Sequence, residues 1–192
     1  MGKYIARINN TYASYGDYGW DYTKTKKMSK FLIIGYARSG KDTAAEYLHE
    51  EFGLTFKSSS MAACEIFLFN KLKDKYGYKT PEECFNDRHN HRLEWFNEIS
   101  NYNKDDRARL AKEILKTSDC YVGMRSMAEF EECKKQNIFD LVIWIDGENR
   151  VGKEDGSCEI HREHADIIID SNGSVGELQE HLFVLGQLIY DK

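Results

Sequence analysis

Residues 31–48 read FLIIGYARSGKDTAAEYL, and the parsing of that stretch decides the fold. Four apolar residues, Phe31 to Ile34, stop at Gly35. Five positions later come Gly40 and Lys41, and then a segment that reads as helix. A short buried strand, a glycine-bounded loop and a helix start carrying a lysine spell G-x-x-x-x-G-K, a phosphate cradle. Gly35 lets the chain turn sharply out of the strand, and Gly40 lets backbone come close to a phosphate. The loop amides, those of Ala37, Arg38 and Ser39 among them, are expected to point at the anion together with the positive end of the helix. Lys41 reaches the outer phosphates.

One position departs from the common pattern. Asp42 stands where a Ser or Thr would offer its hydroxyl to magnesium. Its carboxylate suits Mg²⁺, directly or through a water. Thr43 then supplies a hydroxyl, to a phosphate rather than to the metal. The stretch is thus a nucleoside triphosphate site, and ATP and Mg²⁺ are the expected cofactors.

A chain of 192 residues is most simply one domain with a sizeable core. No run approaches the ~18 apolar residues of a membrane span, and no apolar leader marks a signal peptide. Five scattered cysteines, never spaced C-x-x-C, read as reduced thiols of a cytoplasmic protein. The net charge of −5 is unevenly spread: residues 1–30 carry six basic residues against two acidic ones. That excludes a uniformly basic nucleic-acid binder but leaves a local basic arm.

That arm, residues 1–29, is polar and tyrosine-rich, with neither helical nor strand periodicity. Three readings stand open. It is a single-stranded nucleic-acid contact with bases on its aromatics, or an arm packing on the domain or on a second subunit of a homodimer, or a poorly ordered leader. Met28 would then make a natural alternative start.

From residue 30 onward, strands and helices alternate. A helix from Lys41 to Glu51 closes at Gly53, and Leu54, Phe56 and the Ser58–Ser60 run make a second strand ending in a polar turn. A mostly apolar helix follows over Met61–Lys75, capped by Ser60. Thr80 and Pro81 start another, which carries DRHNHRLEW. One helix there would put Asp87 and His91 on one face, and Arg88 and Arg92 one turn apart as a clamp for a phosphate or a base edge. The competing reading is a solvated, salt-bridged face. Lys104–Lys116 reads as an amphipathic helix, Cys120–Met124 as a third strand ending at Arg125, and Ser126–Gln136 as a helix. Asp140–Asp146 is the fourth strand, residues 147–164 a charged lid holding Arg150, Asp166–Asp170 the fifth strand, and a last helix ends near Leu188. The result is an α/β fold with a five-stranded parallel, doubly wound sheet of P-loop nucleotide-kinase type, a helical acceptor insertion at 76–116 and a lid. Ligands sit at strand carboxyl ends in such sheets, which places Arg125 near the phosphates. Cys158, His161 and His164 offer too few ligands, at the wrong spacing, for a structural zinc site.

The loop GYARSGKDT resembles that of phage-type deoxynucleoside monophosphate kinases, which also place Asp after the lysine. YVGMRSMAEFEEC with FDLVIWID, and EIHREHADIIIDSNGSVGELQEHL, resemble further segments of that family, over residues 30–75 and 117–185. The middle, KYGYKTPEECFNDRHNHRLEWFNEIS, looks more like the phage kinases of DNA hypermodification, which phosphorylate the hydroxymethyl group of 5-hydroxymethyluracil in DNA.

The expected roles follow. Lys41 and the 35–41 backbone hold the β- and γ-phosphates, Asp42 holds Mg²⁺, and Thr43 contacts the α/β-phosphates. Arg38 and Arg125 offset transition-state charge, and Arg150 closes from the lid. Arg88, Arg92 and Ser59 hold the acceptor. A monophosphate needs no general base, whereas a hydroxyl does, and Asp87 is the nominee. The favoured acceptor is a nucleotide, with no membrane involved. The alternatives are a hydroxymethylated base in DNA and a P-loop NTP-binding module that is not a kinase.

Overall fold

A computed structural model describes residues 29–153 and 158–190, and the backbone of two short strands, β1 (Ala6–Ile8) and β2 (Thr11–Ala13). β1 and β2 pair antiparallel, with Arg7 opposite Tyr12. Periodicity predicts no strand there. The local signal is the Asn-Asn pair between them, a residue type that favours chain reversal. The other readings of residues 1–28, and of Met28, lie outside the described residues.

Five strands form one parallel sheet: β3 (Phe31–Ile34), β4 (Phe56–Ser58), β5 (Cys120–Val122), β6 (Leu141–Asp146) and β7 (Ile167–Asp170). Their order is β4-β5-β3-β6-β7, so the loop strand β3 lies in the middle with Phe31 beside both Cys120 and Leu141. Alternation along β3 divides the interior. Phe31 and Ile33 face a core shared with Leu48, Leu182 and Leu185, from α1 (Lys41–Phe52) and α9 (Val175–Ile189). Leu32 and Ile34 face a second core with Leu68, Leu110, Tyr121 and Trp144. A strand covered on both faces must be apolar throughout, and FLII is.

Between β4 and β5 the helices are shorter than their periodicity predicts. Ser58, not Ser60, caps α2 (Ser59–Ala63), accepting from the Met61 N–H at 3.3 Å. The helix then loosens into a π-helical turn at Cys64–Leu68 before α3 (Phe69–Tyr76). The single helix predicted through DRHNHRLEW is three pieces: α4 (Pro81–Asn86), a 3-10 turn at Asp87–Asn90 and α5 (Arg92–Tyr102), with His91 at φ −126° between them. At the break the Asp87 carboxylate takes the Asn90 side chain at 2.6 Å and lies 3.1 Å from His91 Nε2. The Lys104–Lys116 helix likewise shrinks to α6 (Arg109–Ile114), since Asn103 and Asp106 side chains capture the N–H groups of Leu110 and Ala108.

After β5 comes α7 (Met127–Lys135), and after β6 a short α8 (Glu148–Val151) and a 3-10 turn at Arg162–His164. Residues 154–157 lie outside the described part. The remainder of the predicted lid is fastened down: Cys158 and Ile160 are buried in the Trp144 core. Among the described residues no helix is long and apolar enough to cross a membrane, and all five cysteines are buried.

The sheet face under α9 depends on tight aliphatic packing. Leu182→Ala, at a fully buried position, should cost about 2–5 kcal/mol, read as a lower urea midpoint with unchanged slope.

Candidate active site

The loop leaves β3 through a contact that a side chain would block. Gly35 has φ +151°, and a Cβ there would lie 2.6 Å from the Ile145 carbonyl oxygen of β6. Arg38 adopts left-handed backbone at φ +62°, sparsely populated for a non-glycine residue and found where the surroundings enforce it. Two neighbours enforce it here. The Ser171 hydroxyl donates to the Ser39 carbonyl at 2.7 Å, and Arg150 donates to the Arg38 carbonyl at 3.1 Å and to the Ser171 carbonyl at 3.2 Å. Gly40, at φ +100°, starts α1 without a side-chain cap.

Lys41 is only 8% exposed, and its ammonium donates to the Tyr36 carbonyl at 2.9 Å. The Tyr36 ring stands edge-on to Trp144 at 5.0 Å, and its hydroxyl lies 3.2 Å from His161 Nδ1. The loop is therefore packed from below and pinned from the side. The Ser39 hydroxyl is buried with no hydrogen-bond partner inside the loop.

Beside the loop opens a cavity of about 440 Å³, lined by Arg38, Asp42, Thr43, Arg150, Ser174 and Val175 among others. It joins the start of α1 to the turn before α9, where Ser174 and Glu177 form a capping box. Of the predicted nucleotide contacts, Gly40, Arg38, Asp42, Thr43 and Arg150 meet here. Arg150 serves as a clamp on two backbone carbonyls, not as a freely hanging lid residue.

Asp42 is exposed at the first turn of α1 and presents a hard oxygen ligand next to Lys41. Among the described residues no group of three His, Cys, Asp or Glu stands together. The donor set fits Mg²⁺ held by one carboxylate, phosphate oxygens and water, the usual arrangement for that ion.

On the other side, β5 is followed by Gly123, where a Cβ would lie 3.9 Å from Lys41 Cε and 3.7 Å from the Ser59 hydroxyl. Ser59 donates to the Gly123 carbonyl at 3.2 Å. Arg125 follows two residues on, and its carbonyl accepts from the Glu159 N–H at 3.0 Å. The structure thus gathers Lys41, Ser59 and the Arg125 segment at the carboxyl ends of β3, β4 and β5.

Arg88 is half-buried, its guanidinium 3.8 Å over the Phe85 ring and donating to the Phe85 carbonyl at 2.8 Å. Burial draws its pKa below the ordinary value, while the Asp42 charge raises it and Arg92 lowers it. Arg88 therefore feels the charge of Asp42. Arg92 is exposed and 3.3 Å from His89, so the two arginines are not the parallel clamp that one continuous helix would give. Asp87 accepts from the Tyr78 hydroxyl at 2.6 Å as well as from Asn90 and His91, and these bonds, Tyr78 first, hold its pKa below the usual carboxylate range.

Three residues missed in the sequence prove integral. Asp146, at the end of β6, is buried, ion-paired with Arg162 at 3.2 Å and bonded to the Glu148 N–H. Ser171 and Asn172, after β7, tie the loop and β6 to the last turn. Their common signal is position: each follows an apolar strand at its carboxyl end, where open sheets bind ligands.

Gly35→Ala should abolish MgATP binding in a titration and lower thermal stability, because backbone at 2.6 Å cannot yield. Gly53→Ala, with nothing within 4 Å of its added Cβ but with left-handed backbone at φ +74°, should cost about 1–2 kcal/mol of stability and keep binding.

Among solved structures, the chain is similar to a gluconokinase from Sinorhizobium meliloti 1021, with 14% identity over 87% of this chain and 98% of that one, TM-score 0.44. It is similar to a sugar kinase from Janibacter sp. HTCC2649, with 16% identity over 82% and 93%, TM-score 0.40. It is also similar to a shikimate kinase from Aquifex aeolicus vf5, with 14% identity over 83% and 96%, TM-score 0.42. No protein-family model and no curated protein matches the chain.

Proposed function

We propose that the chain is a P-loop phosphotransferase that moves the terminal phosphoryl group of ATP to a nucleotide, with a deoxynucleoside monophosphate as the acceptor. The observation that carries this reading is a buried Lys41 in the loop whose ammonium is held by the Tyr36 carbonyl, beside a cavity lined by Arg38, Asp42, Thr43 and Arg150. Arg88, which feels the Asp42 charge, supplies a further cation, and such a set suits a reaction whose donor and acceptor are both phosphates.

Phosphoryl transfer is mostly positioning and charge stabilisation. The loop backbone, Lys41 and Thr43 bind the triphosphate, with the nucleoside in the cavity walled by Arg150 and Val175. Mg²⁺, with Asp42 as its protein ligand, would neutralise charge on the phosphate oxygens. Arg88 and Ser59 orient the acceptor, and Arg38 and Arg125 flank the transferring group. An acceptor phosphate oxygen bonds to the terminal phosphorus as the bridging bond breaks and ADP leaves. No proton need be removed, which agrees with Asp87 being occupied by three donors and held ionised.

One observation favours a hydroxymethylated base in DNA instead. Leu93 and Phe96 of α5 are 73% and 66% exposed, next to Arg92 and His89, and form an apolar shelf on which a base of a longer strand would stack.

Transfer of labelled phosphate from ATP separates these readings. The expected result is label in deoxynucleoside diphosphates, with Lys41→Ala down by at least ~10²-fold. Arg88→Ala should raise the acceptor KM by about tenfold or more, and Asp87→Asn should leave kcat within about threefold. Label in 5-hydroxymethyluracil DNA alone, lost in Asp87→Asn, would replace the nucleotide acceptor with DNA. ATP hydrolysis indifferent to either acceptor would leave only a binding module.

A further inference from the structure

Cys158-Glu-Ile-His161 brings the chain back to the sheet, and burial alternates along it. Cys158 and Ile160 are buried in the Trp144 core, while Glu159 is exposed and His161 half-buried. The two apolar residues are enough to fasten this strap. Its two polar residues each reach a different segment beside Lys41.

His161 meets the phosphate loop. Its Nδ1 lies 3.2 Å from the Tyr36 hydroxyl, and the two rings approach edge to face. Tyr36 is 6% exposed, so its phenol without a partner would carry the penalty of a buried polar group. Trp144, edge-on at 5.0 Å, limits how far the ring can tilt. The Tyr36 carbonyl in turn accepts from the Lys41 ammonium at 2.9 Å. His161 is itself braced, because its N–H donates to His164 Nδ1 at 3.0 Å across the 3-10 turn.

Glu159 meets the segment on the other side of Lys41. Its N–H donates to the Arg125 carbonyl at 3.0 Å, and its carboxylate accepts from the Met127 N–H at 2.8 Å. The Met127 N–H opens α7, where Ser126 supplies no side-chain cap and no intrahelical acceptor exists. One residue therefore grips the chain both at Arg125 and two positions beyond it.

We propose that Glu159 and His161 are positioning residues of the phosphotransfer site, one strap that fixes the Tyr36–Lys41 loop relative to the Arg125 segment. The inference rests on the phosphotransferase reading and adds two residues that act without touching substrate. Their effects divide. His161 acts through Tyr36 on the lysine that grips the triphosphate, so its loss weakens donor binding. Glu159 acts on the segment of Arg125, which flanks the transferring group, so its loss slows turnover at unchanged donor affinity.

The test combines calorimetric titration of the full chain with MgATP and steady-state transfer to deoxynucleoside monophosphates and to 5-hydroxymethyluracil DNA. His161→Phe keeps a ring but loses the hydrogen bond, and should weaken MgATP binding about fivefold. The acceptor KM should stay within about twofold. His161→Asn, whose amide reaches the Nδ1 position, should recover most of the affinity. Tyr36→Phe should match His161→Phe, and the double variant should be no weaker than either. Glu159→Ala should lower kcat about fivefold, and Glu159→Gln, which keeps an acceptor for Met127, should restore it. Leu182→Ala, in the opposite core, should alter neither quantity well below its unfolding temperature.

Full additivity of His161→Phe and Tyr36→Phe, or failure of both conservative variants to rescue, would reduce the strap to packing and overturn the inference. The phosphotransferase reading would then stand. If His161→Phe does not fold, Tyr36→Phe decides, since it removes one oxygen, and unchanged MgATP affinity there would overturn the inference. A wild type that transfers phosphate to neither acceptor would overturn both.

Discussion

A lysine ammonium can be withdrawn from water only if the chain supplies oxygen in return, and the segment from Gly35 to Lys41 is folded around that demand. The Tyr36 carbonyl meets Lys41, which requires the loop to double back over β3. Doubling back brings Gly35 against the β6 backbone and forces Arg38 into left-handed geometry. Ser171 and Arg150 then hold the carbonyls that this geometry turns outward. The buried cation and the uncapped start of α1 place two positive features on one small concavity. The rest of the sheet keeps them there.

The two faces of the sheet divide the labour. α1 and α9 close one face with aliphatic side chains and support the cavity beside the loop. The opposite face carries the segment between β4 and β5, where the helices are short, broken and held by side-chain bonds to backbone. Such a segment is shaped by particular hydrogen bonds more than by apolar stripes, so its contour responds to single substitutions. Asn103 illustrates this, because its side-chain oxygen takes the Leu110 N–H at the start of α6.

Much of the architecture was legible because its signals are local. FLII, LVIWID and DIIID are continuous apolar runs, and the glycine-bounded loop announces itself by spacing. Thr80-Pro81 and Gly53 marked helix ends correctly. The break at His91 was not legible, since Arg88 and Arg92 keep helical spacing across it. The shortening of α6 has its origin in Asn103 and Asp106. In the site, loop residues were legible from the motif alone. Ser171 and Asp146 were not, because their importance lies in what a distant segment places beside them.

The position of Trp144 has an experimental use. It is 1% exposed in β6 and stands edge-on to Tyr36, a residue of the phosphate loop. Trp95, also buried, belongs to the same core from α5 and has an indole N–H without a partner. One fluorophore is thus coupled to the loop and one to α5, next to the segment that carries Arg88. With Trp20 replaced, removing either of these indoles in turn would let the emission of the other report which part moves first, without attaching a dye.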